Sequence, residues 1–212
     1  GEDPARVFTV GSLGVENVHQ LPVLNKEEVR SRLHLPENVP YFVVTYHPVT
    51  QERKTPLDSV RALLAALRRQ DAFYVFTGAN ADSGGSEIND FLKEECRHDE
   101  KMRFFLSLGV LLYINAARYS GGVIGNSSSG VGEIPSLGIP VLDIGDRQKG
   151  RVRSQAVLHC EEDTASIYSC LKKMRTDDFL EQVKTIPNPL DIPGTSCNIA
   201  NRIRTFPLDG IQ

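Results

Sequence analysis

Apolar residues come in short, nearly unbroken runs along this chain, at 7–10, 41–46, 73–77, 102–106, 122–125, 141–144 and 156–159. Runs of this kind, rich in Val, Ile and aromatic side chains, predict strands buried on both faces. Between them the spacing shifts to the helical period. The clearest case puts Leu57, Val60, Leu63, Leu64 and Leu67 on one face, and Thr55-Pro56-Leu57-Asp58 supplies a cap, a first-turn proline and an acidic third position. Further helices are predicted at 26–33, 87–95, 110–119, 164–174, 178–183 and 196–204. Strand, helix, strand in repetition implies right-handed crossovers and a parallel sheet covered on both faces, an α/β doubly wound fold.

Composition narrows the picture without changing it. A chain of 212 residues, 40% hydrophobic and 24% charged, suits one large domain with a full core. The net charge of -3 offers no general attraction to nucleic acid or to an anionic membrane, so a bound anion has to be caught by a local site. Cys96, Cys160, Cys170 and Cys197 form no CxxC pair, which fits reduced thiols better than a disulfide framework or a zinc site. No apolar stretch approaches the ~20 residues needed to cross a bilayer, and Gly1-Glu2-Asp3-Pro4 is too polar for a signal segment. These features lead to the expectation of a cytoplasmic, soluble protein.

In a doubly wound sheet the ligand crevice lies at the carboxyl ends of the strands, so the residues just beyond each run carry the functional argument. They are His47-Pro48-Val49-Thr50, the stretch 78–85 with Asn80, Gly84 and Gly85, Ser107-Leu108-Gly109, the run Asn126-Ser127-Ser128-Ser129-Gly130-Val131-Gly132-Glu133, and the basic turn holding Arg147, Lys149 and Arg151. Serines and glycines between a strand and a helix start expose N–H and hydroxyl donors. The run at 126–133 therefore reads as a diphosphate cradle or as a serine-rich N-cap. Glu133 reads as an acceptor for a ribose diol or as a carboxylate favoured in a first helical turn. Arg147 and its neighbours read as phosphate partners or as a solvated basic turn. His47, in an extended pair with Pro48, is placed to donate to a phosphate or to carry a proton. No P-loop, Ser-His-Asp order or metal-ligand spacing is present, and no cofactor is implied.

The string Gly125-Asn126-Ser127-Ser128-Ser129-Gly130, followed by Glu133, by Pro135-Ser136-Leu137-Gly138-Ile139-Pro140, and by Ile144-Gly145-Asp146-Arg147-Gln148-Lys149-Gly150-Arg151, resembles the C-terminal domain of UDP-N-acetylglucosamine 2-epimerases. It is most similar to the hydrolysing branch, which releases UDP and N-acetylmannosamine or a relative for sialic-acid synthesis. Thr45-Tyr46-His47-Pro48-Val49-Thr50 resembles a second family block, and Gly11-Ser12-Leu13-Gly14-Val15-Glu16-Asn17 the passage between two domains. The resemblance implies a Rossmann-like half of a two-domain GT-B-type architecture that binds UDP or UDP-N-acetylglucosamine. His47 would sit at the phosphate or sugar end as an auxiliary catalytic group. Asn80 would approach the nucleotide, Leu108 would offer backbone to the uracil, Ser127 and Ser128 would bind the diphosphate, Glu133 would hold the ribose, and Arg147 would support the base or phosphate side. Gln155, where relatives often carry an acidic residue, departs from the pattern.

The same resemblance divides the chain into a hinge segment at 1–20, a UDP-binding domain at 21–194 and a C-terminal helix and tail at 195–212. The carboxylates credited with acid-base work in the family belong to the other domain, so the chain alone is expected to lack turnover. A non-catalytic UDP or UDP-sugar binding module and half of a GT-B glycosyltransferase are the competing readings. A homo-oligomer is compatible with any of them.

Overall fold

The computed structural model describes residues 3–49 and 55–207. Its strands are β1 Tyr41–Thr45, β2 Phe73–Thr77, β3 Met102–Phe105, β4 Val123–Gly125, β5 Val141–Ile144 and β6 Val157–Cys160. All pair in parallel, in the order β3-β2-β1-β4-β5-β6. Order reverses between β1 and β4, which makes the crevice above those two strands the switch point of a doubly wound sheet.

The helices are α1 Leu13–Gln20, α2 Lys26–Arg32, α3 Pro56–Leu67, α4 Gly85–His98, α5 Gly109–Arg118, α6 Ser128–Gly132, α7 Thr164–Met174, α8 Asp177–Val183 and α9 Thr195–Thr205. Side chains alternate across a strand, so each strand feeds two cores. Phe42 and Val44 of β1, with Tyr74 and Phe76 of β2, join α3, α4, α7 and α8 in one apolar cluster. Tyr41 and Val43, with Val75, join α1, α2, α5 and α6 in the other. Val60, Leu63, Leu64 and Leu67 of α3 are buried, each contributing about 2 kcal/mol by removal from water. The Thr55–Asp58 capping box starts that helix, as the sequence predicts. Among the described residues no helix is long and apolar enough to cross a membrane, and the four cysteines are free.

One predicted strand is absent. Val7 is extended and 60% exposed, and residues 7–10 pair with no strand. Their Val and Phe content favours extended backbone, yet no sheet edge lies alongside. Phe8 instead packs edge-to-face on Phe206 and stacks under the Arg202 guanidinium, 4.0 Å from its ring centre. Helix α1 arises where no helix was predicted, because Gly11, Ser12 and Gly14 mask a segment that buries only Val15 and Val18. It is bound to the chain's other end. Ser12 N–H donates to Leu190 O (3.1 Å), Ser196 N–H to Glu16 Oε2 (3.0 Å), and His19 Nε2 meets Asp191 Oδ2 at 2.8 Å.

Gly125 ends β4 at φ +134°, and a Cβ there would overlap the Thr45 carbonyl oxygen. Only glycine lets the two strand ends approach so closely. Gly125→Ala is expected to cost roughly 3 kcal/mol or more, read as a lowered denaturant midpoint. An unchanged midpoint would show that the strand ends separate freely.

Candidate functional site

Site geometry begins with Asn126, the first residue beyond β4 and fully buried. Its side chain crosses to the tip of β1: Oδ1 accepts from His47 N–H at 2.7 Å and Nδ2 donates to His47 O at 2.9 Å. Its carbonyl accepts from Arg147 Nη1 at 3.1 Å and from Gln148 Nε2 at 2.8 Å. A single asparagine thus fixes the histidine, the start of the serine run and the arginine relative to one another.

His47 Nδ1 accepts from Asn80 N–H at 3.0 Å, which needs an unprotonated Nδ1 and leaves Nε2–H as the donor. Burial, then the positive Arg147 nearby, lowers the imidazole pKa, with Asp82 acting in the opposite sense. Asn80 Nδ2 is spent on Asp82 Oδ2 at 2.5 Å.

Beside this cluster lies an open groove of about 350 Å³ lined by His47, Leu108, Ser127 and Ser129, with Thr45, Thr77 and Tyr113 at its base. Leu106 and Val110, 71% and 56% exposed, form an apolar wall. Of the residues to which the resemblance gives roles, His47, Leu108 and Ser127 line this groove directly. Asn80 and Arg147 join it through His47 and Asn126. Ser128 is exposed at the first position of α6. That helix spans only five residues, so its dipole is short, and hydroxyls, amides and the guanidinium are the substantial donors.

Glu133 stands at the far end of α6, half-buried, its carboxylate lying against Gly14 of α1 where any Cβ would strike it. Burial pushes its carboxyl above the usual range, partly offset by Arg151. Lys149 pairs with Asp146 at 3.1 Å on the surface and forms part of a solvated turn. Gln155 is exposed. Thr50 lies outside the described residues.

Three contributors escaped the sequence reading. Asn126 stood inside the serine string without a role, and its position directly after a buried strand was the available signal. Tyr113 looked like an apolar helix residue. Arg153, missed beside its more conspicuous neighbours, donates through Nη1 to the buried Asp143 at 3.2 Å and through Nη2 to Gln148 O at 3.1 Å, holding down the turn that presents Arg147. Burial raises the Asp143 carboxyl, against Arg153 and His159.

Doubly wound α/β domains bind their ligands at the switch point, where the polar strand tips of this chain converge. Over residues 1–204 the sequence matches the model of the UDP-N-acetylglucosamine 2-epimerases, and the chain belongs to that family. It is 35% identical over 97% of its length to an Escherichia coli protein called polysialic acid biosynthesis protein P7, covering 53% of that protein. It is 34% identical over 84% of its length to the Campylobacter jejuni GDP/UDP-N,N'-diacetylbacillosamine 2-epimerase (hydrolyzing), covering 47% of it. The chain therefore spans about half the length of these relatives. In fold it matches half of the GT-B-type Methanocaldococcus jannaschii UDP-GlcNAc 2-epimerase, solved in complex with UDP-GlcNAc and UDP, with a TM-score of 0.72, 16% identity, and coverage of 98% of this chain and 57% of that one.

The His47 geometry has a readable consequence. Because its folded pKa is depressed, the contact adds stability above the unfolded value of about 6.5, and that stability is lost as pH falls through the folded value. Nitrogen-detected NMR is expected to show a neutral Nε2–H tautomer at pH 7 and a titration midpoint below 6.5. A charged His47 at pH 7 would contradict the contact.

Proposed function

We propose that this chain is the UDP-binding half of a hydrolysing 2-epimerase acting on UDP-N-acetylglucosamine or a close relative. The single observation that carries the reading is the convergence of His47, Ser127 and Arg147 on Asn126 at the switch point. In this reading the diphosphate lies across the serine run, held by the Ser127 and Ser128 hydroxyls and by the guanidinium edge of Arg147 not spent on Asn126. Arginine suits that place because its donors stay charged and planar. The His47 Nε2–H points a neutral donor at the sugar-proximal phosphate and assists as an auxiliary group. Asn80 approaches from the next strand tip, the Leu108 backbone meets the uracil against the apolar wall, and Glu133 takes the ribose hydroxyls. Residues 1–20 serve as hinge, 21–194 as the nucleotide domain, and 195–212 as the closing helix and tail. The names of the relatives, one in polysialic acid biosynthesis and one marked hydrolyzing, support this choice of chemistry.

Abstracting a sugar C2 proton needs a base within hydrogen-bond reach. Among the described residues lining the groove the ionisable side chains are His47 and Tyr113. Domain closure onto a partner half supplies the missing carboxylates, so the chain alone is expected to bind UDP without turnover.

Calorimetry with UDP tests the cradle. Arg147→Ala is expected to weaken binding by about tenfold or more, and Ser128→Ala by a few-fold, the sizes of a charged and a neutral hydrogen bond. Unchanged binding in both would remove the diphosphate site. Gly14→Ala should displace the flexible Glu133 carboxylate at little cost in stability. Lower UDP affinity at an unchanged melting temperature is the expected result. Unaltered affinity would take the ribose away from Glu133.

A further inference from the structure

Beneath the serine run the hydroxyls are linked to one another rather than to the backbone. Tyr113 OH lies 2.7 Å from Ser129 Oγ, and Ser129 Oγ lies 3.1 Å from Ser127 Oγ. Behind the phenol, Thr45 interacts with Tyr113 and its Oγ1 lies 2.6 Å from Thr77 Oγ1. These hydroxyls border the same groove, and among the described residues none of them donates to a carbonyl. Each hydroxyl carries one proton and either oxygen of a link can donate, so the acidity of the groups sets the direction. A phenol is a better donor than an aliphatic hydroxyl, and burial pushes Tyr113 up to about 12, so it keeps its proton at neutral pH. With the phenol as donor to Ser129, and Ser129 donating on to Ser127, the Ser127 proton is left for the groove that Ser127 lines.

We propose that Tyr113 is a positioning residue: it polarises a hydroxyl relay through Ser129 so that Ser127 presents a donor, never an acceptor, to a phosphate oxygen of the bound nucleoside diphosphate. This rests on the UDP reading given above and adds to it a residue that does not touch the ligand. A hydroxyl that is free to turn must be oriented when an anion arrives, whereas one already driven by two upstream donors is set beforehand, and links in such a chain strengthen one another.

UDP titration of the wild type, Tyr113→Phe, Ser129→Ala and their double variant tests the relay. Tyr113→Phe keeps the ring and removes only the proton. Each single change is expected to weaken UDP binding by about fivefold, the size of one neutral hydrogen bond, and the double variant by no more than the worse single one. Melting temperatures unchanged from wild type separate that coupling from a merely structural loss, which contacting residues also share. Wild-type affinity in both singles, or losses that multiply in the double, would overturn the proposal. Should Tyr113→Phe fail to fold, the pair Ser129→Ala and Ser127→Ala carries the same test. With Ser127 already removed, Ser129→Ala should cost nothing further, and a separate loss would refute the relay. Wild-type protein that does not bind UDP at all would instead bring down the UDP reading, and this inference with it.

Discussion

Two parallel strand tips that part at a switch point leave a gap, and in this chain the gap is held by a paired hydrogen bond from one buried asparagine. Asn126 uses both ends of its amide on the backbone of His47, and its own carbonyl on Arg147 and Gln148. Buried amide groups are costly when unpaired, so this knot resists opening from either side. The histidine, the serine run and the basic turn come from three separate loops. Asn126 ties all three to one point. Gly125 is the precondition, since the strands must nearly touch before the amide can span them.

The charges follow from that placement. Burial, and after it the nearby guanidinium, shifts the imidazole toward its neutral form, and Asn80 N–H against Nδ1 selects the same form. The electrostatic result is a strand-tip surface where the Arg147 charge stands beside several neutral donors, with Asp82 held by Asn80 at its margin. Arg147 is in turn carried on a turn whose stem is the Arg153–Asp143 pair, where the guanidinium offsets the desolvation of a buried carboxylate and His159 Nδ1 stands 3.6 Å from the same oxygen.

Most of the architecture was legible in the order of apolar runs, because a parallel sheet buries both faces and leaves unbroken hydrophobic strings. Six of the seven runs are strands. The exception, 7–10, shows what local pattern omits: extended propensity says nothing about whether an edge is available. Helix α1 shows the converse, since its glycines weaken the helical signal while one of them, Gly14, is needed to make room for Glu133. At the site, His47, Leu108 and Ser127 were visible as polar or loop residues directly after strands. Tyr113 was not, because a tyrosine in an amphipathic helix looks like any core residue until its hydroxyl partner is known. Arg153 was hidden by more conspicuous basic neighbours.

The inventory of groups also bears on how labour is divided in a two-domain enzyme. Hydroxyls, an imidazole N–H and a guanidinium stabilise negative charge; they do not remove a proton from carbon. A diphosphate that departs with its bonding electrons gains charge as it leaves, and donors fixed in advance stabilise that developing charge more than they stabilise the intact ester. Under the UDP reading, this half therefore does more than anchor a substrate, since its donor set favours the leaving group. In the same reading the opposing half supplies the base, and closing the cleft brings both halves onto one sugar.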